Sequence, residues 1–278
     1  MKKGLTLLAA AALLSLGACG DDEDEGTSAK VQTLSVSVNA QGRLIGIAPV
    51  KGGPVRIDFR NDSKSPYDLQ IVRVDGGQSL PQVMRVIEGG EGGPIPNWLH
   101  GAGGVGATKP GRSTSATQIL PAGRYYAIAN PDTEGEQEVE PATAAFRVQG
   151  GESDGELPSA PATVTATEYA FEAEGLKQGR NRIRFVNDGD ELHHIVAFQL
   201  APGKTVADVK RFFRTEKGRP PIVEGVESST AVIDGKTEQI VDMEFANAGK
   251  WALVCFISDR KGGPSHAAKG MISEVEVG

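Results

Sequence analysis

Shifted by 126 positions, this chain falls on itself. Gly53-Pro-Val-Arg-Ile57-Asp-Phe59-Arg-Asn61-Asp62 lands on Gly179-Arg-Asn-Arg-Ile183-Arg-Phe185-Val-Asn187-Asp188, with six identities in ten. At the same offset Ser79, Leu80, Val83, Val86 and Ile87 land on Thr205, Val206, Val209, Phe212 and Phe213, and Ala122-Gly123-Arg124-Tyr125 lands on Ala248-Gly249-Lys250-Trp251. One offset shared by three separated segments marks a duplicated domain. Whatever the first copy folds into, the second must fold into as well. The division this predicts is a copy at 31–150, a linker at 151–161 where Gly, Ser, Pro and acids replace the apolar pattern, and a copy at 162–278.

Each copy reads mainly as strands. In the second, residues 163–167, 180–187, 193–200, 239–245, 251–256 and 270–277 are short, alternating or β-branched runs bounded by Gly, Pro, Asn or Asp. Residues 31–38, 55–60, 69–74, 124–129 and 144–148 are the counterparts in the first. Ser79 and Thr205 are suited to cap helices, with apolar residues at helical spacing behind them. The expected fold class is all-β, two tandem sandwiches, each with one short helix.

The chain opens on Met1-Lys2-Lys3 and an apolar run, Leu5 to Leu14, too short to span a bilayer, closed by Leu16-Gly17-Ala18-Cys19. Residues 1–19 read as a secretory signal, and the last four resemble a bacterial lipobox, which implies lipidation of Cys19. Residues 20–30 are too acidic and too poor in apolar side chains to fold, and read as a tether. The expectation is an extracytoplasmic protein, lipid-anchored to a bacterial membrane in the cell envelope or periplasm. The chain has two Cys; with Cys19 lipidated, Cys255 has no disulfide partner. An unpaired thiol in an oxidising compartment must be buried or bound to metal.

Cys255 follows the apolar run Trp251-Ala252-Leu253-Val254, and His266 and Met271 follow it on the next connection. His193-His194 stands about sixty residues upstream at another strand. A thiolate, two imidazoles and a weak thioether form the donor set of a type 1 (blue) copper site. Taken singly, Cys255 reads equally as a small buried hydrophobe, Met271 as core, and the His residues as ordinary polar positions.

The second copy resembles a cupredoxin, the plastocyanin and azurin group of Greek-key copper sandwiches. Asn187-Asp-Gly-Asp-Glu-Leu-His193-His194 is similar to the plastocyanin segment in which an Asn precedes the first copper-binding His by six residues. The resemblance implies copper held by His193, Cys255, His266 and Met271, with His194 and Asn187 supporting the ligands without touching the metal. The interval departs from the family: ten residues separate Cys255 from His266, more than plastocyanins use. The insertion Asp259–Gly263 either loops outward or loosens the site. The first copy lacks the ligands, since Tyr67, Asp68 and Ala129 stand at the places of His193, His194 and Cys255, and Glu140 and Ala145 stand roughly opposite His266 and Met271.

The net charge of −7 comes with no basic stripe, which excludes nucleic acid as a partner. Gly101-Ala-Gly-Gly-Val-Gly106 has the spacing of a dinucleotide-binding turn, but Lys109-Pro110-Gly111 follows where a helix should start, so it reads as a flexible loop, with His100 a loop residue beside it. Phe256 follows Cys255 where copper oxidases and nitrite reductases carry a His leading to a second copper. The expectation is therefore an electron carrier with a redox partner protein, and not an enzyme. A copper-handling protein and a metal-free envelope module remain open.

Overall fold

The computed structural model describes residues 31–89, 92–132, 139–150, 155–215 and 217–278. The signal at 1–19 with Cys19, the tether at 20–30 and residues 151–154 of the linker lie outside the described residues. The first copy contributes β1 (Gln32–Val38), β2 (Leu44–Ile45), β3 (Val50–Lys51), β4 (Gly53–Asn61), β5 (Tyr67–Val74), α1 (Leu80–Ile87), β6 (Leu99–Thr108), β7 (Ser113–Leu120), β8 (Gly123–Ala129) and β9 (Ala142–Gln149). The second contributes β10 (Ala162–Thr167), β11 (Ala170–Glu174), β12 (Gly179–Asn187), β13 (Val196–Leu200), α2 (Val206–Thr215), β14 (Ile222–Ser229), β15 (Thr237–Phe245), β16 (Gly249–Val254) and β17 (Ile272–Val277). The fold is all-β, with two short helices among the described residues, as expected.

The repeat is visible in the registers. Parallel pairing sets Val36 of β1 opposite Phe59 of β4, and Val164 of β10 opposite Phe185 of β12. The phenylalanines are 126 positions apart, and both are fully buried. Asn61 and Asn187 close the same turn in each copy. Asn61 donates to the carbonyls of Ser65 (2.8 Å) and Thr108 (2.7 Å); Asn187 donates to those of Glu191 (2.8 Å) and Asp234 (3.0 Å). Tyr125 Oη donates to the Pro121 carbonyl (2.7 Å) and Trp251 Nε1 to the Asn247 carbonyl (3.0 Å), so a buried aromatic ring pins the chain four residues upstream at both corners. Both helices open on a reciprocal cap: the Ser79 amide donates to Gln82 Oε1 (2.8 Å) and the Thr205 amide to Asp208 Oδ2 (2.9 Å).

The sheets join the copies rather than separating them. One sheet of eight strands runs β11-β10-β12-β15-β7-β4-β1-β2, crossing from the second copy to the first where β15 pairs antiparallel with β7. A five-stranded sheet, β3-β9-β8-β5-β6, completes the first sandwich, and a four-stranded sheet, β14-β13-β16-β17, completes the second. One apolar cluster runs through both, from Val36, Ile57 and Tyr125 to Phe185, Trp251 and Cys255. Smaller clusters lie beneath the helices around Val83 and Val209, again 126 positions apart. Among the described residues no helix is long and apolar enough to cross a membrane.

Two expectations are corrected here. The segment Gly101–Gly106 is not a flexible loop, and His100 is not a loop residue: both lie in β6, where His100 pairs with Arg73 of β5. The glycines are there because the second copy presses on this strand. A Cβ on Gly106 would come 1.9 Å from the Ser229 carbonyl oxygen, and one on Gly101 would come 3.0 Å from that of Val232. Nor do residues 193–195 belong to a strand, because β13 begins at Val196 and His193 makes only an isolated bridge to Ile233.

Candidate metal centre

Cys255 stands immediately beyond β16, and His266 and Met271 lie on the connection to β17. Backbone hydrogen bonds fold that connection into a closed base: Ala267 N–H donates to the Cys255 carbonyl (2.7 Å), His266 to Ile257 (2.7 Å), Met271 to His266 (2.8 Å) and Cys255 to Met271 (3.3 Å). The insertion leaves and returns through the Ser258–Ser265 bridge, so its length does not separate Cys255 from His266. His193 arrives from the other side, held by two backbone bonds with Ile233 (3.1 and 2.9 Å). Asn187 hydrogen-bonds neither imidazole among the described residues; it fixes the turn before His193 and the 233–234 segment beside it.

The structure brings His193, Cys255 and His266 together as a buried group of donors. Cys255 Sγ lies 3.6 Å from His193 Nδ1 and 3.5 Å from His266 Nδ1, and the two Nδ1 atoms are 3.1 Å apart. A point equidistant from all three is about 2 Å from each, the length of a bond from a first-row metal to nitrogen or sulfur. All three residues are fully buried, as is Met271, whose side chain belongs to the same apolar cluster as Cys255. The donor set and its spacing fit a type 1 copper site.

Burial sets the charge state of these groups. The Cys255 thiol is pushed up to about 12 by burial, against the pull of the His194 and Ile257 N–H groups. Burial, with the neighbouring His266 imidazole, pushes His193 down to about 4. Burial also lowers His266, opposed by Asp259. Asp259 Oδ1 lies 3.0 Å from His266 Nε2, which turns Nδ1 toward the sulfur. The Lys269 ammonium paired with Asp259 holds that carboxyl below its ordinary range, and Tyr169 Oη donates to it (3.1 Å). His194 stays out of the donor group. Its Nε2 accepts the Phe256 N–H (3.0 Å), tying the residue after His193 to the residue after Cys255.

The insertion loops out beyond the Ser258–Ser265 bridge and leaves the donors together, the first of the two alternatives. It runs back against the first copy. Arg260 donates to the carbonyls of Pro96 (3.2 Å) and Leu99 (3.1 Å) and pairs with Asp234; its own carbonyl receives the Ile95 N–H (2.8 Å). Gly263 N–H reaches the Gly92 carbonyl (3.0 Å). His100, bridging Asp75 and Asp234 at 2.7 Å on each side, braces the same junction. The sequence carried no sign of these partners, because most of them are carbonyls or charges more than a hundred positions away, and the nearer pairs, Arg260 with Asp234 and His100 with Asp75, share no local pattern. In the first copy Tyr67 and Ala129, at the places of His193 and Cys255, are buried in the common core.

No family model matches the sequence, and no curated protein matches it. Solved structures do match. The chain is similar to a blue copper oxidase from Nitrosomonas europaea (13% identity, 89% of this chain and 86% of that one, TM-score 0.26) and to the copper nitrite reductase of the same organism (15%, 90% and 94%, TM-score 0.25). It is also similar to auracyanin A, a blue copper protein from Chloroflexus aurantiacus (16%, 43% and 100%, TM-score 0.30). The chain itself folds as all-β sandwiches. Two of these three proteins are enzymes by name, which corrects the expectation that this chain would not be one. Phe256 speaks to a single route toward a second metal and to no other chemistry, so it could not carry that exclusion.

Proposed function

We propose that the second copy holds one type 1 copper through His193, Cys255, His266 and Met271, and that the protein exchanges single electrons with a redox partner protein. The observation that carries this reading is the buried triangle of His193 Nδ1, Cys255 Sγ and His266 Nδ1. Copper, when bound there, supplies the one-electron couple. The protein's part is to fix the donors: Asp259 orients His266, the Ile233 backbone fixes His193, and the backbone amides of His194 and Ile257 face the sulfur. Donors held this firmly change little between two oxidation states of a metal, which keeps electron transfer fast.

The same reading places the chain outside the cytoplasm, anchored through a lipid on Cys19 with residues 20–30 as spacer. Copper titration followed by absorption tests the centre. A strong visible thiolate band should saturate at about one equivalent, vanish in Cys255→Ser and survive Tyr67→Phe. Absence of the band in folded, reduced protein overturns the proposal. Cys19→Ser should release the protein from membranes, and membrane association that persists in high salt would refute the anchor.

A further inference from the structure

The two copies face each other across a cavity of about 360 Å³. One wall is the edge of the first copy at which the ligands are missing, with Asp68 and Asn130; the other is the edge beside the donors, with His194 and Phe256. At the 126 offset Asp68 corresponds to His194, and Asn130 to Phe256. Corresponding positions thus line opposite sides of one space, in the size range of sites for small organic molecules.

The charge in this space is one-sided. Val72, Ile128, Leu192 and the Phe256 ring make much of the wall apolar, and no Lys or Arg lines it among the described residues. His194 brings no positive charge, because its Nε2 accepts the Phe256 N–H and so carries no proton. The Asp68 carboxylate faces the cavity with one side-chain partner among the described residues, the neutral Asn130 amide, which donates to Oδ1 at 2.7 Å. Burial, with a smaller contribution from Asp132, raises Asp68 to about 6. A carboxylate drawn into an apolar enclosure costs free energy unless a cation or strong donors meet it. Asn130 supplies two neutral donors, its side-chain amide and its backbone N–H, and no cation lines the cavity among the described residues.

We infer that this cavity binds a small organic cation, an ammonium group on an apolar or aromatic body, with the ammonium on Asp68 and the body between Ile128, Leu192 and the Phe256 ring. A carboxylate on one wall and apolar side chains on the other suit such a ligand, because the ammonium meets the negative charge while the enclosure shields the apolar body from water. The bound molecule would touch His194 and Phe256, the residues next to His193 and Cys255 in the chain. The binding itself does not rest on copper.

Calorimetric titration of the whole chain, copper-free and copper-loaded, with 2-phenylethylammonium chloride tests this, with neutral 2-phenylethanol as the comparison. The ammonium should bind at about one equivalent and the alcohol about ten-fold or more weaker, since only the ammonium meets the carboxylate's charge. Asp68→Asn should lower the ammonium's affinity by a similar factor. Val86→Trp, at the partly exposed rim on α1, should weaken both. Failure of the ammonium to bind, equal binding of the alcohol, or indifference to Val86→Trp overturns the inference, as does indifference to Asp68→Asn in folded protein. If Asp68→Asn does not fold, the alcohol comparison and Val86→Trp decide it alone.

Discussion

Burial fixes the protonation of the donors before any metal arrives. With its thiol pushed up to about 12, Cys255 is protonated near neutral pH, while His193, pushed down to about 4, is already neutral. Copper uptake must therefore displace the thiol proton. Loading near neutral pH should release about one proton per copper, seen by calorimetry in two buffers of different ionisation heat. The same burial makes the copper-free protein sensitive to acid. His193 and His194 both sit near 4 in the folded chain, below the unfolded value of about 6.5, so the unfolded chain binds protons first. Their contribution is fully present above that unfolded value and is lost as pH falls toward about 4, which a series of urea midpoints against pH would show. Asp259→Ala should weaken copper binding about 10- to 100-fold by freeing the His266 ring, with unfolding midpoints as the control for a merely structural effect. The sequence already offered Cys255, His266 and the His193-His194 pair by residue type and order, and only the resemblance to plastocyanins singled out His193 from that pair. It did not offer Asp259, because an acid in an insertion reads as solvated until the loop is closed.

At the scale of elements, the repeat was readable wherever identity follows from local geometry. The Asn61 and Asn187 turns and the Tyr125 and Trp251 corners each depend on hydrogen bonds to carbonyls that every strand connection of this shape presents. Tyr125→Phe should cost about 1 kcal/mol, the net worth of one hydrogen bond, measurable by urea unfolding. Asn187→Ala should cost about 1–3 kcal/mol, because it strands buried carbonyls, and should weaken copper binding as well; Asn61→Ala should match the stability loss and leave copper binding unchanged. Strand β6 was unreadable for the opposite reason. Its glycines answer to the Val232 and Ser229 carbonyls of the other copy, so its local pattern imitates a loop.

Across the whole molecule, the shared eight-stranded sheet and the continuous apolar cluster make the copies one cooperative unit. Heating should give a single transition with equal calorimetric and van't Hoff enthalpies, and two separated transitions would contradict this. A duplicated chain is legible from its offset, but how its copies dock is not, since the β7–β15 seam and the Arg260 junction involve positions with no shared pattern. That junction also has a direction in time. The carbonyls that hold Arg260 belong to Pro96 and Leu99, 164 and 161 positions earlier in the chain. A polypeptide made from its amino end, with domains folding as units in that order, finishes this surface before the loop exists. The metal-site loop can thus close against a template already in place, whereas a chain with its copies transposed would make the loop first, with nothing to close against.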